Sequence, residues 1–230
     1  VFNRSMINLE NEKGILNSFN LHKNVVEFLD FNRFFYTVGN IKSFQEHPDD
    51  WFDDYQLEFK IDTDTIKTPR EYGITIIDDV LVIDESFLGS DELIRSKTFK
   101  KLSTFETRHD FPFDIKIRNF DINSVEKKLI LNSTENAALF YKTNFIVNDS
   151  GTDSDQLTLS LIHENTKILT DYLNAVMSEF DKDGISDRQL EYKRTMDFVD
   201  SRSSFLKGEL ELIELNKQNF KEINNLSDLE

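Results

Sequence analysis

The stretch from Thr195 to Ile223 reads TMDFVDSRSSFLKGELELIELNKQNFKEI, and its apolar residues recur at a fixed interval. Four of them are spaced by seven residues, namely Val199, Leu206, Ile213 and Phe220. Met196 and Leu210 each lie three residues before a member of that series. A repeat of this kind is typical of a helix that packs one edge against another helix. These six residues form the predicted packing seam of the C-terminal helix, which we call the seam.

The helical pattern extends well beyond this stretch. It starts near Asn165, continues to Asn225 and contains no proline. Gly184 and Gly208 each cost about 1 kcal/mol relative to alanine, which a continuous helix tolerates. About 60 helical residues span ~90 Å, whereas a globule of this chain's size is ~45 Å across. We therefore expect a projecting arm whose seam needs a partner, either a returning helix or a neighbouring subunit; the alternative is a helix packed in its own domain's core.

The chain before this helix is predicted to combine helices and strands. Two helices are expected in the first 30 residues, the second capped by Ser18 or Asn20. From Tyr55 to His163 apolar and polar residues alternate, as in strands with one solvated face. Strands are expected at Ile74–Ile77, Val80–Ile83, Phe113–Ile117, Leu129–Leu131, Phe145–Val147 and Leu157–Ile162. The expected fold class is α+β, a mixed sheet with packed helices as a base domain, followed by the helical arm.

Two segments are expected to depart from the strand pattern. Gln45–Asp54 contains Pro48 and predicts a surface loop around an aromatic anchor, Trp51 and Phe52. Asp91–Lys101 is expected to form a short helix. The predicted domains are residues 1–163, the base, and residues 164–230, a long helix whose start packs on the base and whose end is the arm.

Charge and residue usage exclude several classes of protein. The net charge is -16, from 27 Lys and Arg against 43 Asp and Glu, so nucleic acid is not an expected partner. The absence of cysteine excludes disulfide scaffolds, thiolate zinc sites and cysteine nucleophiles. No apolar run reaches the ~18 residues of a membrane span. Because the first residue is Val, we expect a piece of a longer protein, with any membrane anchor outside it.

Two acidic clusters are the candidates for a metal site. Asp181–Glu191 is similar to a calcium loop, but its Gly184 comes too early and Tyr192 stands where the bidentate glutamate is required. The second cluster has no second histidine nearby and consists of His47, Asp49, Asp50, Asp53 and Asp54. Nucleotide-binding fingerprints and serine-nucleophile motifs are missing from the sequence. We therefore predict no catalytic, cofactor-binding or metal-ligating residue, and no cofactor.

The C-terminal third resembles a known family, the polysaccharide co-polymerases, also called chain-length determinants (Wzz-type) or exopolysaccharide-transport proteins. Within Leu173–Arg202, the run Thr195-Met-Asp-Phe-Val-Asp-Ser-Arg202 is similar to the family signature T-I-x-F-I-x-x-R-L, which opens a long helix. The continuation Phe205–Asp228 is similar to the family's helical arm. The segment just beyond the family's first membrane helix is matched, in order, by Glu12–Ser18, Val25–Leu29 and Tyr36–Gly39. The middle, Ile41–Asn148, is only loosely similar.

This resemblance implies a non-catalytic periplasmic α+β domain on the face of the bacterial inner membrane, from which a long helix rises. Family members have a membrane helix on each side of this region and assemble into homo-oligomeric rings. They regulate polymer length and help to pass capsular polysaccharide or exopolysaccharide from the polymerase toward an outer-membrane export channel. The polysaccharide itself is a further candidate partner. Many longer members end in a cytoplasmic tyrosine autokinase, whose ATP-binding motifs do not occur in this sequence, so no catalytic residue is carried over.

Two other functions are compatible with the residue pattern. A coiled-coil periplasmic adaptor or scaffold of another envelope secretion system would share the long helix, but its base would be a lipoyl-like or barrel module. A secreted acidic hydrolase would need a pocket lined by two carboxyl groups with raised pKa values. The fold of Tyr55–His163 distinguishes the adaptor from a polysaccharide co-polymerase. The environment of the carboxyl groups distinguishes the hydrolase from it.

Overall fold

A computed structural model of the chain describes residues 9–39, 41–52, 55–59, 66–77, 80–90, 92–100, 111–117, 126–151 and 156–224. Its helices are α1 (Leu9–Leu16), α2 (Phe19–Leu29), α3 (Pro48–Phe52), α4 (Thr134–Asn144) and α5 (Thr166–Ile223). Its strands are β1 (Arg33–Val38), β2 (Ser43–Glu46), β3 (Tyr55–Phe59), β4 (Arg70–Ile77), β5 (Val80–Phe87), β6 (Leu93–Lys100), β7 (Phe113–Ile117), β8 (Glu126–Leu131), β9 (Phe145–Asp149) and β10 (Leu157–Leu161). The expected α+β class is confirmed.

Side-chain caps define where several helices begin. The Ser18 hydroxyl accepts a hydrogen bond from the backbone N–H of Leu21, at 3.2 Å, and so starts α2 as predicted. Helix α2 is followed by its C-cap residue Asp30, whose φ of 56° lies in the left-handed region. The Asn165 side chain accepts hydrogen bonds from the two N–H groups of Lys167 and Ile168, which caps the long helix α5. The starts of α2 and α5 are therefore encoded locally.

The central element is a six-stranded sheet in the order β2-β1-β8-β4-β5-β6. Two separate two-stranded ribbons pair β3 with β7 and β9 with β10. Every pairing between described strands is antiparallel, so the sheet that the sequence predicts as mixed is an antiparallel one. Antiparallel neighbours need no crossover helix between them, which fits the few residues that separate β1 from β2 and β5 from β6 in the sequence.

The two faces of the sheet bury different sets of residues. Neighbouring residues of β1 show the division, because Phe34 belongs to one apolar cluster and Phe35 to the other. The first cluster lies under the helices and the β9–β10 ribbon and includes Leu16, Val25, Val26, Ala137, Tyr141, Phe145, Leu161, Ile168, Tyr172 and Val176. The second cluster lies on the opposite face and includes Trp51, Tyr72, Ile74, Leu81, Ile83, Phe113, Ile115 and Leu129. The sheet is thus buried on both sides.

Two local predictions are wrong. The segment Asp91–Lys101, expected to be a helix, contains the edge strand β6, which pairs with β5. The predicted loop Gln45–Asp54 contains the end of β2 and the short helix α3, with Pro48 at its first position, where the missing N–H costs nothing. Trp51 is nevertheless the anchor of this segment, fully buried against Phe35 with the ring centroids 5.0 Å apart.

The chain divides into two compact units, Val1–Phe180 and Asp181–Glu230. Helix α5 begins in the first unit and continues through the second without interruption. In the described part of the chain, no helix has both the length and the apolar character needed to cross a membrane.

Candidate functional site: the seam of the long helix

The first turns of α5 belong to the core of the first unit. Four of its residues are buried there, Ile168, Tyr172, Ala175 and Val176. The Tyr172 hydroxyl lies 2.7 Å from Nδ1 of His22, on helix α2, and the Tyr172 ring stacks on that of Tyr141, on helix α4. Burial lowers the pKa of His22 to about 4, with a smaller effect from the charge of Lys142. Tertiary contacts therefore fix the start of the long helix.

Polar contacts also attach the start of α5 to α3 and β2. Nε2 of His47 lies 2.9 Å from Oδ2 of Asp171, and Nζ of Lys167 lies 3.0 Å from Oδ1 of Asp50. Hydrogen bonds from the Lys42 ammonium and from the backbone N–H of Gln45 hold the pKa of Glu164 below its usual value. Most of the described residues of the His47 cluster thus make polar contacts that hold the start of helix α5 in place.

The second part of α5 has a different surface. Between Asp181 and Asn224 no described residue is buried. All six seam residues lie on this part, and their exposed fractions run from 48% for Leu206 to 64% for Met196. Because α5 is unbroken across Gly208, the interval of seven residues keeps its phase and the seam follows one edge of the helix. An exposed apolar edge of this length is typical of a helix that packs against another helix.

The seam is longer and wider than the six predicted residues. Ile185 and Tyr192 extend the same seven-residue series toward the start of the second unit, and both are exposed. A parallel series, Phe198, Phe205 and Leu212, lies one residue before Val199, Leu206 and Ile213 and is equally exposed. The spacing that reveals both extensions is already present in the sequence. The wider apolar face leaves room for contact with more than one neighbouring helix.

Neither candidate metal cluster forms a metal site in the described chain. The segment Asp181–Glu191 lies inside α5, so its carboxylates are carried on a helix rather than on a loop that could wrap around an ion. Asp53 and Asp54 of the second cluster lie outside the described residues. Among the residues that the structure describes, no three His, Asp or Glu side chains form a group able to hold a metal ion.

The pKa values of two carboxyl groups bear on whether these groups could act in acid–base catalysis. The pKa of Glu135 is lowered, mainly by a backbone hydrogen bond at the start of α4 and by the Lys23 ammonium. The pKa of Glu164 is lowered as well, so neither of these two residues has the raised pKa of a general acid.

No protein-family model matches the chain, and no curated protein is significantly similar to it.

Proposed function

We propose that the chain is a non-catalytic periplasmic domain of an inner-membrane polysaccharide co-polymerase, which regulates chain length and export of a capsular polysaccharide or exopolysaccharide. It acts at the periplasmic face of the bacterial inner membrane, as part of a homo-oligomer. Its partners are the polysaccharide polymerase and an outer-membrane export channel, with the polysaccharide as a further candidate ligand.

The observation that carries the proposal is helix α5. It has 58 residues, roughly 87 Å of helix, and an exposed apolar seam along its second part. A helix of this length attached to an α+β unit is what the family resemblance implies. A soluble enzyme has no need to keep so much apolar surface exposed on one edge.

The start of the C-terminal match packs with the N-terminal one. Leu16, Val25 and Val26, from the N-terminal segments that resemble the family, share one core with Ala175 and Val176. The signature Thr195–Arg202 lies in the second unit. The order and the packing of the matches within the first unit are thus compatible with the resemblance.

The adaptor alternative has less support. It expects a lipoyl-like or barrel module between Tyr55 and His163, whereas β4, β5, β6 and β8 from that region form one sheet with β1 and β2. This sheet has β2 and β6 at its two edges and is not closed on itself. The hydrolase alternative would need a pocket lined by two carboxyl groups with raised pKa values, and Glu135 and Glu164, whose pKa values are lowered, are not candidates for that pair.

The proposal is tested in the bacterium from which the reading frame comes. Deleting the frame is expected to change the length distribution of the surface polysaccharide, measured by gel electrophoresis of the extracted polymer. Reintroducing the complete frame restores the distribution. Unchanged length and amount of polymer in the deletion strain would contradict the proposal.

A matched pair of variants tests the part played by the seam. Ile213→Asp places a charge in the seam, while Leu215→Asp places the same charge nearly on the opposite side of the helix, two residues on. Both side chains are exposed to a similar degree, so neither change disturbs a core. Only Ile213→Asp is expected to abolish complementation of the deletion strain. Equal complementation by both variants would remove the seam from the proposed function.

A further inference from the structure

The backbone that leads into α5 is folded back onto a histidine ring. His163 lies between β10 and α5, and its Nδ1 atom accepts a hydrogen bond from the backbone N–H of Asn165 at 3.0 Å. A ring nitrogen that accepts a hydrogen bond carries no proton, so His163 is neutral here, with its proton on Nε2. The carbonyl oxygen of Asn165 lies 3.3 Å from the same Nδ1 atom. One ring atom therefore faces both the donor and the acceptor of a single residue.

Asn165 ties the start of α5 to the rest of the first unit. Its side-chain oxygen accepts hydrogen bonds from the N–H groups of Lys167 and Ile168, at 2.9 and 3.2 Å. Its side-chain amide donates a hydrogen bond to the carbonyl oxygen of Gln45, on β2, at 3.1 Å. All three bonds depend on one backbone conformation of Asn165. The bond from Asn165 to His163 therefore supports the helix cap and the contact with β2 together.

Protonation of His163 changes what its Nδ1 atom can do. A protonated imidazole has a hydrogen on each ring nitrogen and accepts no hydrogen bond. The N–H of Asn165 then loses its acceptor, and the new ring N–H lies beside the Asn165 carbonyl oxygen. That oxygen already accepts the N–H of Leu169 in the first turn of α5. A proton on Nδ1 thus repels one backbone group of Asn165 and competes for the other.

The surroundings of His163 favour its neutral form. Its ring stacks on that of Tyr141, a buried residue of α4, with the ring centroids 6.1 Å apart. Burial lowers the pKa of His163, and the Asn165 carbonyl and the charge of Glu164 oppose this effect. The Glu164 carboxylate is also paired with the Lys42 ammonium at 2.9 Å. His163 therefore takes up a proton only when the pH falls below the ordinary range of a histidine.

We propose that His163 is an acid-sensitive switch at the start of α5. The neutral ring holds Asn165 in the conformation that caps the helix and contacts β2. Protonation releases Asn165, so that the first turn of α5 loosens while Tyr172 stays in the core. The nearby His47 faces the carboxylate of Asp171, which offers a protonated ring a charge partner, so its protonation is not expected to release the helix. The switch concerns contacts within the first unit and does not rest on the proposed function.

Hydrogen exchange of the full chain at several pH values tests the switch. The measured quantity is the protection factor of the Lys167 and Ile168 amides, which compares their exchange with that of an unstructured peptide at the same pH. Loss of a helix cap is expected to lower this factor about fivefold between pH 7 and pH 5. The midpoint should coincide with the titration of the His163 ring, followed by its proton chemical shift in NMR spectra.

Two variants separate the acceptor from the titrating group. His163→Asn keeps an acceptor without a titrating group, because an asparagine side chain commonly accepts the N–H two residues on. It is expected to keep the protection at both pH values. His163→Ala has no acceptor and is expected to show the lower protection already at pH 7. All three proteins retain His22, and amides of the central strand β8 report the loss of global stability that they share.

Three results would overturn the proposal. An equal acid-induced loss of protection in the original chain and in His163→Asn would assign the effect to another group. Protection that stays constant while the His163 ring titrates would show that the cap does not depend on the neutral ring. Full protection of His163→Ala at pH 7 would show that the cap needs no acceptor at this position. The proposed polysaccharide function is untouched by all three, since it is tested by polymer length in cells.

Discussion

His22 makes the stability of the first unit depend on pH. Its side chain is fully buried, and burial lowers its pKa to about 4 from the 6.5 of an unfolded histidine. As the pH falls below 6.5, the unfolded chain therefore binds a proton before the folded chain does. The contribution of His22 is fully present above pH 6.5 and is lost as the pH falls toward 4. We expect the free energy of unfolding to decrease by about 2 kcal/mol between pH 7 and pH 5.

A non-titrating variant isolates this effect. His22→Gln keeps a polar group near the Tyr172 hydroxyl but cannot take up a proton. Urea unfolding of both proteins at several pH values is expected to give a flatter profile for the variant. A residual slope belongs in part to His163, whose pKa is also lowered by burial and which is retained. Identical slopes in the two proteins would show that His22 does not cause the loss.

Within the long helix, Gly208 weakens the second unit without contributing a contact. A Cβ atom added at Gly208 would meet no atom within 4 Å, so Gly208→Ala can be made without a clash. Alanine in a helix interior is favoured over glycine by about 1 kcal/mol. We expect slower hydrogen exchange of the amides around residue 208, measured by mass spectrometry. Unchanged or faster exchange would mean that the helix is not continuous at this position.

Gly39 provides the contrasting case in the first unit. There a Cβ atom would lie 2.7 Å from the backbone oxygen of Lys42, which is too close for any side chain. Gly39→Ala is therefore expected to lower the melting temperature, although the chemical change is the same. Replacement of glycine by alanine is thus expected to stabilise the chain inside a helix and to destabilise it in a tight connection.

Elements with strong local signals could be predicted from the sequence. The cap at Ser18 and the unbroken apolar period after Asn165 suffice for α2 and α5, because their hydrogen bonds are local. The bounds of β7 were likewise predictable from alternation alone. The six seam residues were predicted from spacing alone, whereas their exposure is known only from the structure.

The missed elements depend on partners distant in the sequence or on a weaker local signal. Strand β6 is polar and largely exposed, and it is a strand because β5 offers it hydrogen bonds. Helix α4 lies in a region interpreted as strands, although Ser133 caps it and Ala137, Ala138 and Tyr141 recur at helical spacing. The cap and this spacing are the only local signals for α4. They were overlooked because apolar and polar residues alternate in the sequence on either side of it.

At the scale of the whole molecule, burial is confined to one part of the described chain. Every buried residue in the described chain precedes Asp181, whereas the seam lies entirely after it. The first unit has its own two-sided core, and the second unit is a single helix with exposed apolar residues. A lone helix of this kind gains stability chiefly by covering its apolar edge. The buried core residues and the exposed seam therefore occupy different parts of one helix, and under the proposed function the second part is the one that contacts a partner.

Truncation tests this separation directly. A chain ending at Phe180 keeps every described residue of both clusters, so we expect it to unfold cooperatively, with its single tryptophan, Trp51, as the fluorescent reporter. Its free energy of unfolding should match that of the full chain to within about 0.5 kcal/mol, because surface changes away from the core have small effects. Without the seam it should be monomeric at all concentrations. A chain ending at Lys167 loses Ile168, Tyr172 and Val176 from the core and is expected not to fold. If the chain ending at Phe180 also failed to fold, the second unit would be needed for folding, and the assignment of its surface to association alone would be wrong.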